Sequence, residues 1–241
     1  MSTGLLSVLV LVPTWAVVGV LFRLMWRERR SPDEARSAVM TGAVLAVWAG
    51  VTTALAARGD FIQPDGETIP RVGIALVALL AVAGAWLWAS SSLRHLLSNQ
   101  KNLIRMHVWR LEGVVFLLLM IAGQVPALWA VPAGIGDMLV GATSFLVARR
   151  LDEPGGRRRA ILFNVLGLTD LIVAVTLGVT TNPGPAQLFL TTPPATMLTQ
   201  FPLALVPTFL VPLAATLHVI SLRQLLEGSW ATDRHLAPAR G

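Results

Sequence analysis

The sequence contains no cysteine, which excludes disulfides, thiolate catalysis and cysteine-held metal or iron–sulfur centres. It is also short of charge: 13% of its 241 residues are charged, against about 25% in an ordinary soluble domain. No basic residue precedes the first apolar segment, Leu5 to Met25, whereas Arg27, Arg29, Arg30 and Arg36 follow it. A secretory signal has the opposite polarity, positive first and small at a cleavage site. The segment is therefore expected to be a retained helix with its N-terminus outside.

What the chain does contain is apolar: 54% of residues, with a mean hydropathy of +0.67. The apolar residues form runs of roughly 20, long enough to cross a hydrocarbon core of about 30 Å as a helix, unlike the alternating runs of about ten in a barrel. The expected fold is all-α, a polytopic transmembrane bundle of seven helices over residues 1–222 with a short cytoplasmic tail over 223–241. The helices are placed near 5–25, 37–57, 71–93, 106–124, through Asp137 to Ala148, 160–180 and 201–222. Between the second and third, Asp60, Asp65 and Glu67 with Pro64 and Gly66 read as a short exterior loop. Gly123 to Pro132 reads as a tight exterior turn with Trp129 as an interfacial anchor. Thr181 to Gln200, proline-rich and uncharged, reads as a loop, one that could lie on the membrane surface.

Seven crossings put all but Arg58 and Arg71 of the 19 basic residues on one side, which makes that side, and the C-terminus, cytoplasmic. A re-entrant segment within helices four and five is the alternative. The same clustering accounts for the net charge of +6, so the partner is the lipid bilayer and nucleic acid is not expected.

Two stretches share the pattern G-x-x-D-h-h-V-small-x-T: Gly134 to Thr143 and Gly167 to Thr176. Each sets an aspartate inside a hydrophobic segment, where a carboxylate is costly and marks a site. Asp137 stands 12 residues before Arg149 and Asp170 stands 11 after Arg159, so their depths match near mid-membrane. Consecutive antiparallel helices are neighbours, which lets the two carboxylates face one another to hold a cation or share a proton. Gly134, Asp137, Gly141, Ser144 and Ala148 share one helix face, as do Gly167, Asp170, Ala174 and Gly178. Gly134, Gly141, Gly167 and Gly178 are therefore the expected packing glycines, and both aspartates are expected to point into the bundle. The bland alternative is that the stripes only pack helices and the aspartates bond to Thr143, Thr169, Thr176 or backbone.

Nearer the cytoplasmic edge, Asn164, Glu112 and His218 form a second polar layer, with Arg105 and Arg110 near the rim. Arg105 reaches Glu112 only with some bending, so an interhelical partner is expected. No second histidine stands at metal spacing from His218, so neither a metal nor another cofactor is expected, and His218 reads as a hydrogen-bonded residue or a proton relay. Pro207 and Pro212 each delete a backbone hydrogen bond in the last helix and are expected to kink or unwind it.

Three patterns, Pro132-Ala133-Gly134-x-Gly136-Asp137, Asn164-x-x-Gly167-x-x-Asp170 and Pro207-x-x-x-x-Pro212 followed by His218, resemble those of a group of uncharacterised bacterial seven-helix membrane proteins. That resemblance covers about the C-terminal half and implies the bacterial cytoplasmic membrane, with no activity attached. Gly134-Ile135-Gly136-Asp137 is also similar to the G-x-G-D motif of intramembrane aspartyl proteases, which implies Asp137 and Asp170 as a catalytic pair. In those families the partner aspartate precedes G-x-G-D, whereas here it follows, and Pro126-Ala127-Leu128 lies on the wrong side of the motif. The topology resembles microbial rhodopsins and sugar transporters of the SWEET type. The sole lysine, Lys101, lies in a loop and cannot form a retinal Schiff base. The leading expectation is a proton- or cation-coupled small-solute transporter with Asp137 and Asp170 at its centre and Asn164, Glu112, His218 and Arg110 along a polar path. An intramembrane enzyme and a non-catalytic assembly subunit are the alternatives, and a homo-oligomer is allowed.

Overall fold

The computed structural model describes residues 2–64, 67 and 69–228. Asp65 and Gly66 of the exterior loop and residues 229–241 of the expected tail lie outside that set. Among the described residues the chain is all-helical, with helices α1 (Thr3–Glu28), α2 (Pro32–Arg58), α3 (Arg71–Ala89), α4 (Ser91–Leu96) and α5 (Gln100–Arg105). A 3-10 segment (Met106–Gly113) then leads into α6 (Val114–Ile121), α7 (Ala127–Arg149) and α8 (Gly156–Thr180). A 3-10 turn (Thr196–Thr199), a π-helical turn (Val206–Leu210) and α9 (Val211–Glu227) complete the chain.

Among the described residues, six helices are long and apolar enough to cross a membrane: α1, α2, α3, α7, α8 and the unit Val206–Glu227. Their outward faces carry large apolar side chains such as Val47, Leu139 and Ile172, each at least 60% exposed. An apolar surface on that scale suits lipid rather than water. Local chemistry sets the ends. Ser31 caps α2 by accepting from the Glu34 N–H at 3.2 Å, Pro32 occupies the first position, and Gly59 closes the helix at φ 78°.

The stretch expected as a fourth regular helix is split. Residues 106–113 wind as 3-10, an unusually long run for that geometry. With three residues per turn, His107, Arg110 and Gly113 align on one face, and all three are buried. That face lies against α7 with the two backbones almost touching. A Cβ on Gly113 would stand 2.6 Å from the Gly134 carbonyl oxygen, one on Gly134 2.8 Å from the Gly113 oxygen, and one on Gly141 2.7 Å from the Leu111 nitrogen. The small-residue stripe is what admits this approach.

Several other boundaries differ from expectation: α3 ends at Ala89 rather than near Leu93, with α4 following, the last element begins at Val206 rather than near Phe201, and two further differences bear on packing. The turn expected to reach Pro132 ends by Pro126, and Trp129 sits inside α7, 3% exposed, with its ring 4.9 Å from Phe116 and its Nε1 donating to the Ala174 carbonyl at 3.1 Å. A partner for both its ring and its N–H favours burial over an interfacial position. The last helix runs on through Glu227 rather than ending near Leu222, because Leu225 is fully buried and its carbonyl accepts from Arg157 Nε at 2.9 Å. Between Pro207 and Pro212 that element winds as π. Pro212 has no N–H for the Thr208 carbonyl, and Trp48 Nε1 of α2 donates to that carbonyl at 3.0 Å instead. The freed backbone group thus ties the break to a neighbour.

Candidate functional site

The 3-10 segment delivers a fully buried guanidinium to the two repeat aspartates. Arg110 Nε donates to Asp137 Oδ1 at 2.5 Å, and Arg110 Nη2 donates to Asp170 Oδ2. Arg110 Nη1 donates to His218 Nε2 at 3.0 Å and, more loosely, to the Gly167 carbonyl at 3.5 Å. The arginine side chain has no exposure, and the aspartates expose 15% and 12%. Removing an arginine from water costs several kcal/mol, and only dense pairing offsets that. Here two carboxylates, an imidazole and a backbone carbonyl take four of its five N–H groups.

Arg110 is thus not a rim residue, as its distance from the segment's end suggests. A 3-10 segment rises about 2.0 Å per residue against 1.5 Å in an α-helix, and the long side chain extends the reach further. The two aspartates, expected to meet each other, meet a cation between them. Thr143 and Thr169 take no part, since their hydroxyls donate back to Leu139 and Val165 of their own helices.

The repeat glycines have matching jobs. Gly134 makes room for the segment that carries Arg110. Gly167 makes room for α9, since a Cβ there would stand 2.3 Å from His218 Nε2. Gly136, the second glycine of G-x-G-D, makes room for Asp170, whose Oδ1 would lie 1.7 Å from an added Cβ. Gly178 is a looser packing position, with Leu198 at 3.1 Å and Trp129 at 3.4 Å from its virtual Cβ.

A ladder of uncharged polar groups leaves the cluster toward the Leu97 end of the bundle. His218 Nδ1 lies 2.9 Å from Asn164 Oδ1, and Asn164 Nδ2 donates to Ser221 Oγ and to the Ala160 carbonyl, each at 2.8 Å. Ser221 Oγ donates to Gln100 Oε1 at 2.7 Å, Gln100 Nε2 to Gln224 Oε1 at 2.6 Å, and Gln224 Nε2 to the Leu97 carbonyl at 3.0 Å. Because Asn164 Oδ1 can only accept, Nδ1 of His218 carries a proton. Because Arg110 Nη1 can only donate, Nε2 is bare. The network therefore assigns His218 as the neutral Nδ1–H tautomer, and a relay through a doubly protonated His218 would set two donors against each other.

His107 is a member that sequence spacing did not single out. Its ring stacks on His218 at 3.7 Å and meets Phe163 edge-on at 5.7 Å, and neither of its nitrogens has a hydrogen-bond partner. The signals for the missed residues were periodic. His107 and Arg110 are three apart on a 3-10 turn, and His218, Ser221 and Gln224 are three apart on α9. Glu112, expected on the polar path, is buried but stands outside the ladder, and neither carboxylate oxygen has a hydrogen-bond partner. The interhelical partner expected for it is not formed, and Arg105 does not bond to it.

A cavity of about 100 Å³ reaches the cluster from the opposite end. It lies between α3 and α8, is walled mainly by Phe116, Trp129, Leu171, Val179 and Val206, and has Asp137 in its lining. Its other polar lining residues are Gln63, Asn182 and Thr199. Among the described residues no group of three or more His, Asp or Glu side chains is placed to hold a metal ion.

A protein family described as a domain of unknown function, DUF8737, matches residues 69–226. The chain belongs to the DUF8737 family. The DUF8737 region begins just ahead of α3 and ends within the last turn of α9, so the Arg110 cluster, the whole ladder and most of the cavity wall lie inside it. Helices α1 and α2 precede the DUF8737 region and contribute Trp48 to its π turn. No curated protein and no solved structure matches the chain.

Proposed function

We propose that this DUF8737 protein is a carrier in the bacterial cytoplasmic membrane, coupled to protons or cations, in which Arg110 is the internal competitor for two carboxylates. In this reading the chain crosses seven times with its N-terminus outside. The continuous stretch 100–121 supplies the crossing that is split among α5, the 3-10 segment and α6. The distribution of the basic residues supports that orientation, and the P-A-G-x-G-D and N-x-x-G-x-x-D motifs support the bacterial setting.

One observation carries the reading: a cavity from one end of the bundle reaches Asp137, which is held there by a cation of the protein itself. A carboxylate with a built-in counter-ion can exchange that ion for an incoming cation or proton without ever being left unpaired. Release of Arg110 then alters the contact between the 3-10 segment and α7. Broken helices at 106–113 and 206–210 supply segments that such a shift can use. The aspartyl protease alternative is disfavoured because both carboxylates hold one guanidinium where a shared nucleophilic water would have to sit.

The test is proton flux into proteoliposomes, read with a trapped pH-sensitive dye under an imposed potassium diffusion potential. Asp137→Asn and Asp170→Asn should each lower the flux by about tenfold or more, as expected when a charge-assisted contact is lost, with the helical circular dichroism unchanged. Wild-type flux in both variants, or no flux of protons or, with a trapped sodium-sensitive dye, of sodium above empty liposomes, would overturn the carrier and leave an assembly subunit as the better account.

A further inference from the structure

We infer that the cavity beside Asp137 is a binding site for a small organic cation that has N–H donors on a short apolar body; this rests on the carrier reading for its role in transport but not for binding itself. The cavity wall is almost wholly apolar, and what polarity it has is lopsided. Apart from the Asn182 amide, its side-chain donors are already used by the protein. Trp129 Nε1 donates to the Ala174 carbonyl, Thr199 Oγ1 to the Thr196 carbonyl, and Gln63 Nε2 to the Glu67 and Ile69 carbonyls.

The acceptors are left over. Asp137 gives Oδ1 to Arg110, and its Oδ2 receives no hydrogen bond. Asn182 Oδ1 is buried with no hydrogen-bond partner. A buried acceptor without a donor forfeits about 1–3 kcal/mol, which a ligand N–H restores. Charge points the same way, because the cluster sets two carboxyl groups against one guanidinium and carries a net negative charge whenever both are ionised. An anion or a ligand bearing only acceptors would meet neither a free side-chain donor, apart from the Asn182 amide, nor a favourable field.

Size limits the body. An engineered cavity of about 150 Å³ admits benzene, so about 100 Å³ accommodates a chain of a few carbons. The position between α3 and α8 explains why the body is apolar, since α3 packs chiefly on the π turn and α9 and has one buried residue, Leu79. The α3 side of the cavity, Val72, Gly73 and Leu76, offers no polar side chain.

The experiment is isothermal titration of the detergent-solubilised full chain with three probes. These are n-butylammonium, n-butanol as its neutral counterpart, and tetramethylammonium as a cation without N–H. n-Butylammonium should bind about tenfold or more tightly than either of the others, the lower end of what one charge-assisted hydrogen bond contributes. Asp137→Asn should abolish that preference. Val179→Trp, which fills the cavity and leaves every charged group in place, should abolish binding of all three, and it keeps the test valid if Asp137→Asn does not fold. Equal affinity for n-butanol, or undiminished binding in Val179→Trp, would overturn the proposal. Proton flux without n-butylammonium binding would overturn the cation site and spare the carrier; binding without flux would overturn the carrier and spare the site.

Discussion

Gly136→Ala tests how tightly the repeat is built. The added methyl would lie 1.7 Å from Asp170 Oδ1 and 2.5 Å from its Cγ, whereas unbonded heavy atoms rest at about 3.5 Å. The carboxylate must therefore retreat by about 1.5–2 Å, which takes it out of hydrogen-bond range of Arg110 Nη2. Breaking one side of a buried ion pair costs about 3–5 kcal/mol. Asp170 is only 12% exposed, so screening by water relieves little of this. Alanine in place of a helical glycine returns about 1 kcal/mol. The clash wins, and the net loss is about 2–4 kcal/mol, or roughly 5–15 °C in Tm for a chain of this size. The eight tryptophans make intrinsic fluorescence during heating in detergent a suitable assay. The decisive comparison is the same change in an Asp170→Ala background, where no carboxylate remains to collide and the cost should vanish. An equal loss in both backgrounds, or a loss under about 0.5 kcal/mol in the wild type, would refute the assigned role of Gly136.

Two further expectations concern the ladder and the loop between α2 and α3. Asn164→Leu removes the acceptor of His218 Nδ1 and the donor to Ser221 while keeping a similar shape, leaving two buried polar groups unsatisfied at about 1–3 kcal/mol each. A loss of about 2–6 kcal/mol that shrinks when Ser221→Ala is added would show the coupling by thermal unfolding, and strict additivity would count against it. At the loop, hydrogen bonds from Arg71 hold the Glu67 carboxyl below its ordinary value of 4.5. A lowered folded value means that the pair's contribution is present above the unfolded value and is lost as the pH falls through the folded one. Any Tm difference between wild type and Glu67→Gln at pH 7 should therefore fade on acidification below the carboxylate range, and a difference that grows there would contradict the pairing.

Much of the architecture was legible because the hydrocarbon core imposes length on helices. The segments around Leu5, Val47, Leu79, Asp137 and Asp170 could be placed from apolar run length alone. The glycine steps of α7 and α8 gave the inward faces, since small residues at spacings of three and four admit a neighbouring backbone. What could not be read was the winding of residues 106–113. An α-helical count separates the directions of His107, Arg110 and Gly113, and a 3-10 turn merges them. That difference hid the guanidinium from the pair it serves. Trp129 misled for a related reason: between two prolines it looked like an interfacial anchor, and only the Ala174 carbonyl across the helix pair shows why it is inside. The ladder from Asn164 to Gln224 depends on which residues of α5 and α9 meet, a tertiary fact without a local signature.

The carbonyl of Leu97 has a consequence far from its own position. Side-chain amides and hydroxyls can each exchange the roles of giver and receiver, so a chain built from them alone could run in either direction. A peptide oxygen cannot, and it stands at the ladder's end. Together with the Ala160 carbonyl, which accepts from Asn164 Nδ2, and Arg110, which can only donate, it fixes the handing order of the rungs, so that a lone pair of His218, rather than a hydrogen, faces Arg110. A hop along such a file would leave it reversed, and its amides and hydroxyls would have to rotate to reset it. In a proton-coupled cycle that fixed order keeps the His218 lone pair turned toward Arg110, and proton traffic along the ladder would require its rungs to turn over.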